Sequence, residues 1–276
     1  MSDRVAVNLT GPAKTMLSTL YLKALDARLK RPVLGDRFAG DAVARIDFDW
    51  SALEMGAGWA PLCTVRTAQY DIWARRFLAR HPRSTVVHLG CGLDARVFRI
   101  DPGPGVEWYD VDFPEVIALR EKVYPGRPDY HLTATSATDP SWVDRIPADE
   151  PVLFLAEGIS MYLTEDEGIA LLRRVVGHFG SGEVQIDFFN WLAIKSQKTQ
   201  TLVRNSGSTL HWAVNSPREV LARVPGLRLR ESANFFDAST FSRVPARYRG
   251  VKRAARLAPA LRKALQYHVY EFGPRG

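Results

Sequence analysis

Thr85-Val86-Val87-His88-Leu89-Gly90-Cys91-Gly92-Leu93-Asp94-Ala95-Arg96 is the stretch on which the reading of this chain turns. Its first five residues form a short β-branched run that the glycines then break. Gly90-x-Gly92-x-x-Ala95 fits the pattern G-x-G-x-x-G/A, which carries meaning only between a strand and a helix. Here it follows a strand candidate and precedes a helix-capable stretch. Glycine permits the sharp turn and lets a ligand approach the main chain. The next strand candidate, Val106 to Asp112, ends in a carboxylate 22 positions after Gly90. A carboxylate there can accept hydrogen bonds from both hydroxyls of a ribose. Turn, strand context and acid together predict a nucleotide-containing ligand.

Further strand candidates follow at Tyr130 to Thr135, Pro151 to Ala156 and Glu183 to Phe189. Pro151-Val152-Leu153-Phe154-Leu155-Ala156 is apolar throughout, as expected of a strand buried on both faces. Helical periods fall between the strands at Glu115 to Val123, Trp142 to Arg145 and Glu165 to Phe179. The last opens with the capping box Thr164-x-x-Glu167. Strands alternating with helices imply a parallel sheet covered on both faces. Two late strands, Leu227 to Phe236 and Tyr267 to Phe272, are expected to join antiparallel at one edge. Upstream, Leu17 to Leu29 and Val65 to Arg80 read as amphipathic helices, with short helices and loops from Pro32 to Pro61 between them. Trp191 to Val203 reads as a helix, Asn205 to Ser208 as a loop, and Ser216-Pro217-Arg218-Glu219 as a helix start. These periods suggest one domain in three parts: an N-terminal helical cap over 1–64, a ligand-binding core over 65–190, and an acceptor-side region over 191–276.

With 46% hydrophobic and 24% charged residues in 276, the chain has ordinary globular composition and can bury a large core. Two cysteines exclude a disulfide scaffold and fit a reducing compartment. Met1-Ser2-Asp3-Arg4 has no apolar run behind it, and no uninterrupted apolar stretch would span a bilayer. A cytoplasmic protein without a membrane partner is the expectation. The net charge of +7 is concentrated. From Ala238 to Tyr270 stand Arg243, Arg247, Arg249, Lys252, Arg253, Arg256, Arg262 and Lys263, with no carboxylate among them. A solvated basic helix is the plain reading; an acidic substrate, a membrane surface or nucleic acid are the alternatives.

Two ligand classes fit the turn. A dinucleotide would present a pyrophosphate to the helix N-terminus, where Asp94 discourages it. S-adenosylmethionine presents a methionine zwitterion beside a sulfonium, and so needs a cation and acceptors. Arg66, Lys14 and Glu157 favour the methyl donor. At this point the residues resemble a known family. Thr10-Gly11-Pro12-Ala13-Lys14, Val65-Arg66-Thr67, Leu89 to Arg96, Tyr109 to Val116, Thr138-Asp139-Pro140-Ser141-Trp142 and Ala156-Glu157-Gly158-Ile159-Ser160-Met161-Tyr162-Leu163 occur in order. Over roughly residues 8 to 190 the chain resembles the leucine carboxyl methyltransferase family, in a bacterial branch similar to tetracenomycin-type polyketide O-methyltransferases. The resemblance implies a Rossmann-like class I S-adenosylmethionine-dependent methyltransferase, with a mostly parallel seven-stranded sheet, helices on both faces and an N-terminal helical extension. It implies that Arg66 pairs with the methionine carboxylate, with Lys14 assisting, and that Gly90 approaches the ammonium through its carbonyl. Asp112 would hold the ribose, Ser136 and Ala137 would contact the adenine, and Glu157 would line the methionyl end. Asp110 competes with Asp112, which is favoured as the Asp of the Val-Asp-Phe-Pro block.

Methyl transfer is an in-line displacement to which positioning contributes most. A carboxylate acceptor is already ionised at neutral pH, whereas a phenol gains from a general base. His211, in Thr209-Leu210-His211-Trp212, is the candidate base, with Tyr21, Tyr162 and Trp212 as candidate acceptor contacts. The histidines show no metal-ligand spacing, so no metal is expected. The expected partner is a small natural-product acceptor, a phenol or carboxylic acid, with nucleic acid the lesser candidate. The competing readings are an NAD(P)-dependent oxidoreductase and an RNA-modifying or RNA-binding protein using the basic segment.

Overall fold

The computed structural model describes residues 4–7, 13–53, 55–199 and 208–274. A two-residue parallel pair, β1 (Val5–Ala6) and β2 (Ile46–Asp47), accompanies the N-terminal helices α1 (Ala13–Ala27) and α2 (Arg37–Arg45). Asp36 starts α2 by accepting from the backbone N–H groups of Phe38 and Ala39. α3 (Ala60–Arg80) then leads into the sheet, with Pro61 in its first turn, where a missing N–H costs nothing.

The sheet strands are β3 (Ser84–Leu89), β4 (Val106–Asp112), β5 (Tyr130–Ala134), β6 (Val152–Ala156), β7 (Gly182–Phe189), β8 (Arg228–Asn234) and β9 (Leu265–Phe272). Their spatial order is β5-β4-β3-β6-β7-β9-β8. β3 pairs in parallel with both β4 and β6, and β9 runs antiparallel to both β7 and β8. From β3 the chain builds outward one way through β4 and β5, then returns to β6 and builds the other way. That reversal opens a crevice beyond the carboxyl ends of β3 and β6, the usual ligand position in such sheets.

The helices between strands are α4 (Arg96–Ile100), α5 (Pro114–Val123), α6 (Glu165–His178), α7 (Trp191–Lys195) and α8 (Pro217–Arg223). Thr164 and Glu167 form the reciprocal capping box at the start of α6. One core, built on Val87, Phe154, Val184 and Tyr270, joins one face of the sheet to α6, α8 and the turn Pro140–Arg145. A second, built on Val86, Leu153, Leu155 and Val269, joins the other face to α3 and Phe241. A third seats α1 and α2 against α5 and the glycine turn through Leu17, Leu20, Leu93 and Leu119. All of β6 is buried, as its apolar run predicts.

Two sequence expectations change. Within the described part of the helix expected over Trp191 to Val203, α7 ends at Lys195, where Ser196 caps it, and a 3-10 turn at Gln197–Thr199 follows. Gln200 to Val203 and Asn205 to Gly207 lie outside the described residues. The basic segment is not one helix. It divides into α9 (Arg249–Arg256) and α10 (Pro259–Arg262), because Pro259 cannot continue the first.

Candidate active site

The crevice holds a cavity of about 190 Å³. One stripe of α1 (Thr15, Met16, Thr19, Lys23) covers it, and α3 contributes Cys63, Arg66 and Thr67. The turn supplies Gly90 to Asp94, the end of β6 supplies Glu157 and Gly158, and Met161, Tyr162 and Phe189 close the far wall.

The floor is a chain of ion pairs. Arg66 Nε donates to Glu157 Oε1 at 3.0 Å and its Nη1 to Asp187 Oδ2 at 2.7 Å. Thr67 Oγ1 donates to the same Glu157 oxygen at 2.7 Å, while Arg96 Nη2 donates to the other. Burial by itself would raise the Glu157 carboxyl, but Arg96 and Arg66 bring it down to about 2. Asp187 behaves in the opposite sense. Its complete burial outweighs Arg66 and the Gly158 N–H, and its carboxyl rises above the usual range. Gly158 N donates to Asp187 Oδ1 at 2.6 Å, so one carboxylate fixes both Arg66 and the loop after β6. Gly158 has φ +73°, and a Cβ there would stand 2.9 Å from Arg66 Nη2. That terminal nitrogen makes no hydrogen bond among the described residues, and its side chain keeps 22% exposure toward the cavity.

Across the turn, Gly90 has φ +63°, and a Cβ on it would press Ile159 Cδ1 at 2.8 Å. The site is therefore a cradle of bare backbone with a guanidinium and an ionised carboxylate in its floor. That set suits a methionine zwitterion: Arg66 could face a carboxylate, and Glu157 with the Gly90 carbonyl could face an ammonium. Asp112 ends β4 beside it, its carboxylate accepting from Gly92 N at 2.7 Å and Phe113 N at 2.8 Å. Its second lone pairs remain for a ribose. Burial pushes its carboxyl up against the lowering effect of these two N–H groups.

Asp110 is engaged elsewhere. Trp108 Nε1 donates to it at 2.9 Å, Tyr130 at 2.7 Å, and Arg120 closes on it. His88 joins the two networks. Its Nδ1 stands 3.2 Å from Asp110 and its Nε2 3.0 Å from Arg96 Nη1. Because Arg96 can only donate, the ring proton belongs on Nδ1.

The structure thus gathers Arg66, Gly90, Glu157 and Tyr162 around one cavity, with Asp112 at its edge. Ser136 and Ala137 follow β5 along the same sheet edge, outside the cavity lining, with Ser136 Oγ 2.8 Å from Thr138 Oγ1. Lys14 sits in the first turn of α1, but its side chain lies outside the described residues. Three acceptor-side expectations are corrected. His211 is exposed and does not line the cavity; its backbone N donates to Met161 O at 2.8 Å. Trp212 is 3% exposed, lying against Gly168 and edge-on to Phe188 in the core. Tyr21 stacks on Trp50 at 5.5 Å, away from the cavity lining.

Several site residues carry no role in the sequence reading. Asp187 is a carboxylate between Ile186 and Phe188 in the apolar second half of β7, and that isolation is a usable signal. Lys23 is likewise a cation on the buried face of α1, with Nζ 2.8 Å from Asp94. Arg96 is within the turn motif itself, yet nothing in the sequence shows that it spans from Asp71 to Glu157.

The family model for leucine carboxyl methyltransferase matches residues 17–176. The chain is 40% identical to the tetracenomycin polyketide synthesis O-methyltransferase TcmP of Streptomyces glaucescens, covering 96% of this chain and 98% of that one. It is 36% identical to the S-adenosyl-L-methionine-dependent methyltransferase dpfgK of Gibberella zeae, covering 83% and 84%. Among solved structures, a DUF574 family protein from Streptomyces avermitilis shares the fold at a TM-score of 0.58 and 14% identity, over 92% of this chain and 97% of that one. Neither the oxidoreductase nor the RNA reading finds support among these relatives. The protein is an S-adenosylmethionine-dependent O-methyltransferase and belongs to the leucine carboxyl methyltransferase family.

Proposed function

We propose that the acceptor is a carboxylate on a small aromatic, polyketide-like molecule, methylated in a cytoplasmic biosynthetic step. The observation that carries this reading is the absence of a free base among the described groups of the cavity wall. His88 already faces Arg96 with one nitrogen and Asp110 with the other. Glu157 and Asp94 are held ionised, and far too weakly basic, by the cations around them. Burial keeps the Cys63 thiol and the Tyr162 hydroxyl protonated at neutral pH. A phenol near pKa 10 would meet no group to take its proton, whereas a carboxylate near pKa 4 needs none.

S-adenosylmethionine supplies a methyl group activated by its sulfonium. The work of this chain is to bind and orient. Arg66, fixed by Asp187 and Glu157, would hold the methionyl carboxylate; Glu157 and the Gly90 carbonyl would hold the ammonium, and Asp112 the ribose. Met16, Met161 and Phe189 exclude water from the reacting face, which strengthens these polar contacts. Polyketide chemistry is supported by the name of the 40%-identical relative, and the two free cysteines fit a reducing compartment.

The test is transfer of a labelled methyl group to aromatic carboxylic acids and to phenols of matched ring system. Ester formation is expected, with a kcat that is flat from about pH 6 to pH 9. Transfer to the phenols alone, with kcat rising through a pKa in that range, would reject the carboxylate reading.

A further inference from the structure

The basic segment that stood out in the sequence has no part in the cavity floor, yet the topology puts it beside the cavity. β8 runs parallel to the central strands and ends at Asn234, and β9 begins at Leu265, opposite Phe189 at the end of β7. Residues 235–264 therefore all hang from the sheet edge that carries the cavity, whose wall includes Phe189. Hydrogen bonds fix the path. Thr240 Oγ1 donates to Val65 O of α3 at 2.8 Å, and the Tyr248 hydroxyl donates to Gly58 O just before that helix begins. Farther on, Asn190 Nδ2 donates to Ala260 O at 2.8 Å and Asn190 N to Ala264 O at 3.0 Å. The segment thus wraps the N-terminus of α3, which carries Cys63 and Arg66, and reaches the residue after Phe189.

Its surface is cationic and apolar together. Arg247, Arg253 and Lys263 are exposed and form no ion pair among the described residues. Arg262, by contrast, is held by Asp237. Leu257 is 89% exposed, with Val251 and Leu261 also outward. Trp59 and Trp191, exposed at the starts of α3 and α7, flank the same path. Exposed aliphatic and indole groups gathered along one cationic segment can serve as a binding surface. Unpaired guanidinium and ammonium groups among the aliphatics select an anion with a hydrophobic body. The segment's own Tyr248 and Phe241 are engaged, beneath Arg247 at 4.9 Å and Lys252 at 5.1 Å, which leaves Trp59 and Trp191 at its flanks as separate apolar rings and not as a continuous track for successive bases.

We propose that α9, α10 and the flanking Trp59 and Trp191 form an electropositive collar that captures the acceptor as an aromatic carboxylate and raises its local concentration at the cavity. This rests on the carboxylate reading above. The collar acts before methyl transfer, through the encounter, so it governs acceptor affinity and leaves the chemical step alone.

The test substitutes Arg247→Gln, Arg253→Gln and Lys263→Gln together, all on exposed side chains. The full-length protein loaded with S-adenosylhomocysteine is titrated calorimetrically with anthracene-2-carboxylate and with 2-hydroxymethylanthracene. Wild type is expected to prefer the acid, and roughly a tenfold loss of acid affinity is expected in the triple variant at low ionic strength. Affinity for the alcohol and for S-adenosylhomocysteine should be unchanged, and salt should weaken acid binding in wild type only. Equal acid affinity in the two proteins, or no acid binding by wild type, overturns the collar while leaving the carboxylate reading intact if acids are still methylated. Methylation of phenols but not acids overturns the carboxylate reading and the collar with it. Salt-sensitive binding of an RNA oligonucleotide that the triple variant loses would assign the face to nucleic acid and likewise overturn the proposal.

Discussion

Two buried arginine clusters flank β3, and they differ in one respect that decides their use. Arg120 is wholly enclosed. Its guanidinium meets Asp110, the Tyr130 hydroxyl at 2.7 Å, and the carbonyls of Gly92 at 2.7 Å and Asp94 at 3.0 Å. Its donors are spent on the protein, and what they hold is the backbone of the glycine turn. Arg66 is held as firmly, by Glu157 and Asp187, but keeps one terminal nitrogen and part of its surface for the cavity. A closed arginine cluster shapes the turn; an open one addresses a ligand. Asp110 and Asp112 repeat the contrast on one strand, the first sealed by Arg120 and the second at the strand end beside Gly92.

Closing Arg66 or opening Arg120 would break this distinction. The largest effect is expected from Arg120→Met. It strands a buried Asp110 and two turn carbonyls, and removal of one partner from such a pair costs about 3–5 kcal/mol. Chemical denaturation should show that loss, and cofactor binding should fail because the turn is no longer held. A variant that unfolds normally yet binds no cofactor would place Arg120 with Arg66. Next in size is Arg66→Gln. Losing a charged hydrogen bond of about 1.5–3 kcal/mol should weaken S-adenosylhomocysteine binding by roughly 10- to 100-fold. Calorimetry should find this with the secondary structure intact, and unchanged affinity would remove Arg66 from the site.

The open cluster was the more legible of the two in sequence, for a physical reason. Arg66, Gly90, Asp112 and Glu157 stand at the ends of strands or in a ligand-facing helix turn, where a charged or glycine residue interrupts an apolar period. Arg120 stands in the amphipathic helix α5, where an arginine reads as solvent-facing; only the fold shows that it turns inward. The far wall of the cavity was least legible. The cavity there is lined from α1, α3, the loop after β6 and the end of β7, and the side chains that meet are ordinary core types such as Met16, Met161 and Phe189. His211 and Trp212 had the right chemistry at a plausible place in the chain, but the parallel bridge between Phe189 and Ala213 directs Trp212 into the core and leaves His211 outside.

Within the open cluster, the two carboxylates on Arg66 should respond oppositely to acid. Glu157 has a folded pKa of about 2 against 4.5 for the free side chain. Its contribution to stability is complete above pH 4.5 and fades as pH falls toward 2. Asp187 is raised, so it favours the folded state only below its ordinary value of 3.8 and disfavours it once pH rises through the folded pKa. Asp187→Asn should therefore leave stability at neutral pH within about 1 kcal/mol of wild type, since the amide oxygen still accepts from Gly158 N. Affinity for S-adenosylhomocysteine should fall roughly threefold to tenfold because Arg66 loses one anchor. Glu157→Gln should instead flatten the acid limb of the stability curve. Measuring both across pH 3 to pH 8 separates a group that positions Arg66 from one that mainly supports the fold; parallel behaviour of the two variants would contradict the assignment.

The smallest effect sharpens the acceptor side. His211 was the one imidazole placed near the acceptor by sequence position, and a base there would be required only for a phenol. In the structure its side chain is exposed, while Leu210 and Trp212 on either side of it are buried. Surface substitutions away from caps and cores stay within about 0.5 kcal/mol, close to a twofold change in rate or affinity. His211→Ala should therefore change kcat and KM for an aromatic acid by less than roughly twofold, with the pH profile unmoved. A large drop in kcat that deepens as pH falls would mean that the ring swings into the cavity during turnover, and would return general-base chemistry, and with it a phenolic acceptor, to this site.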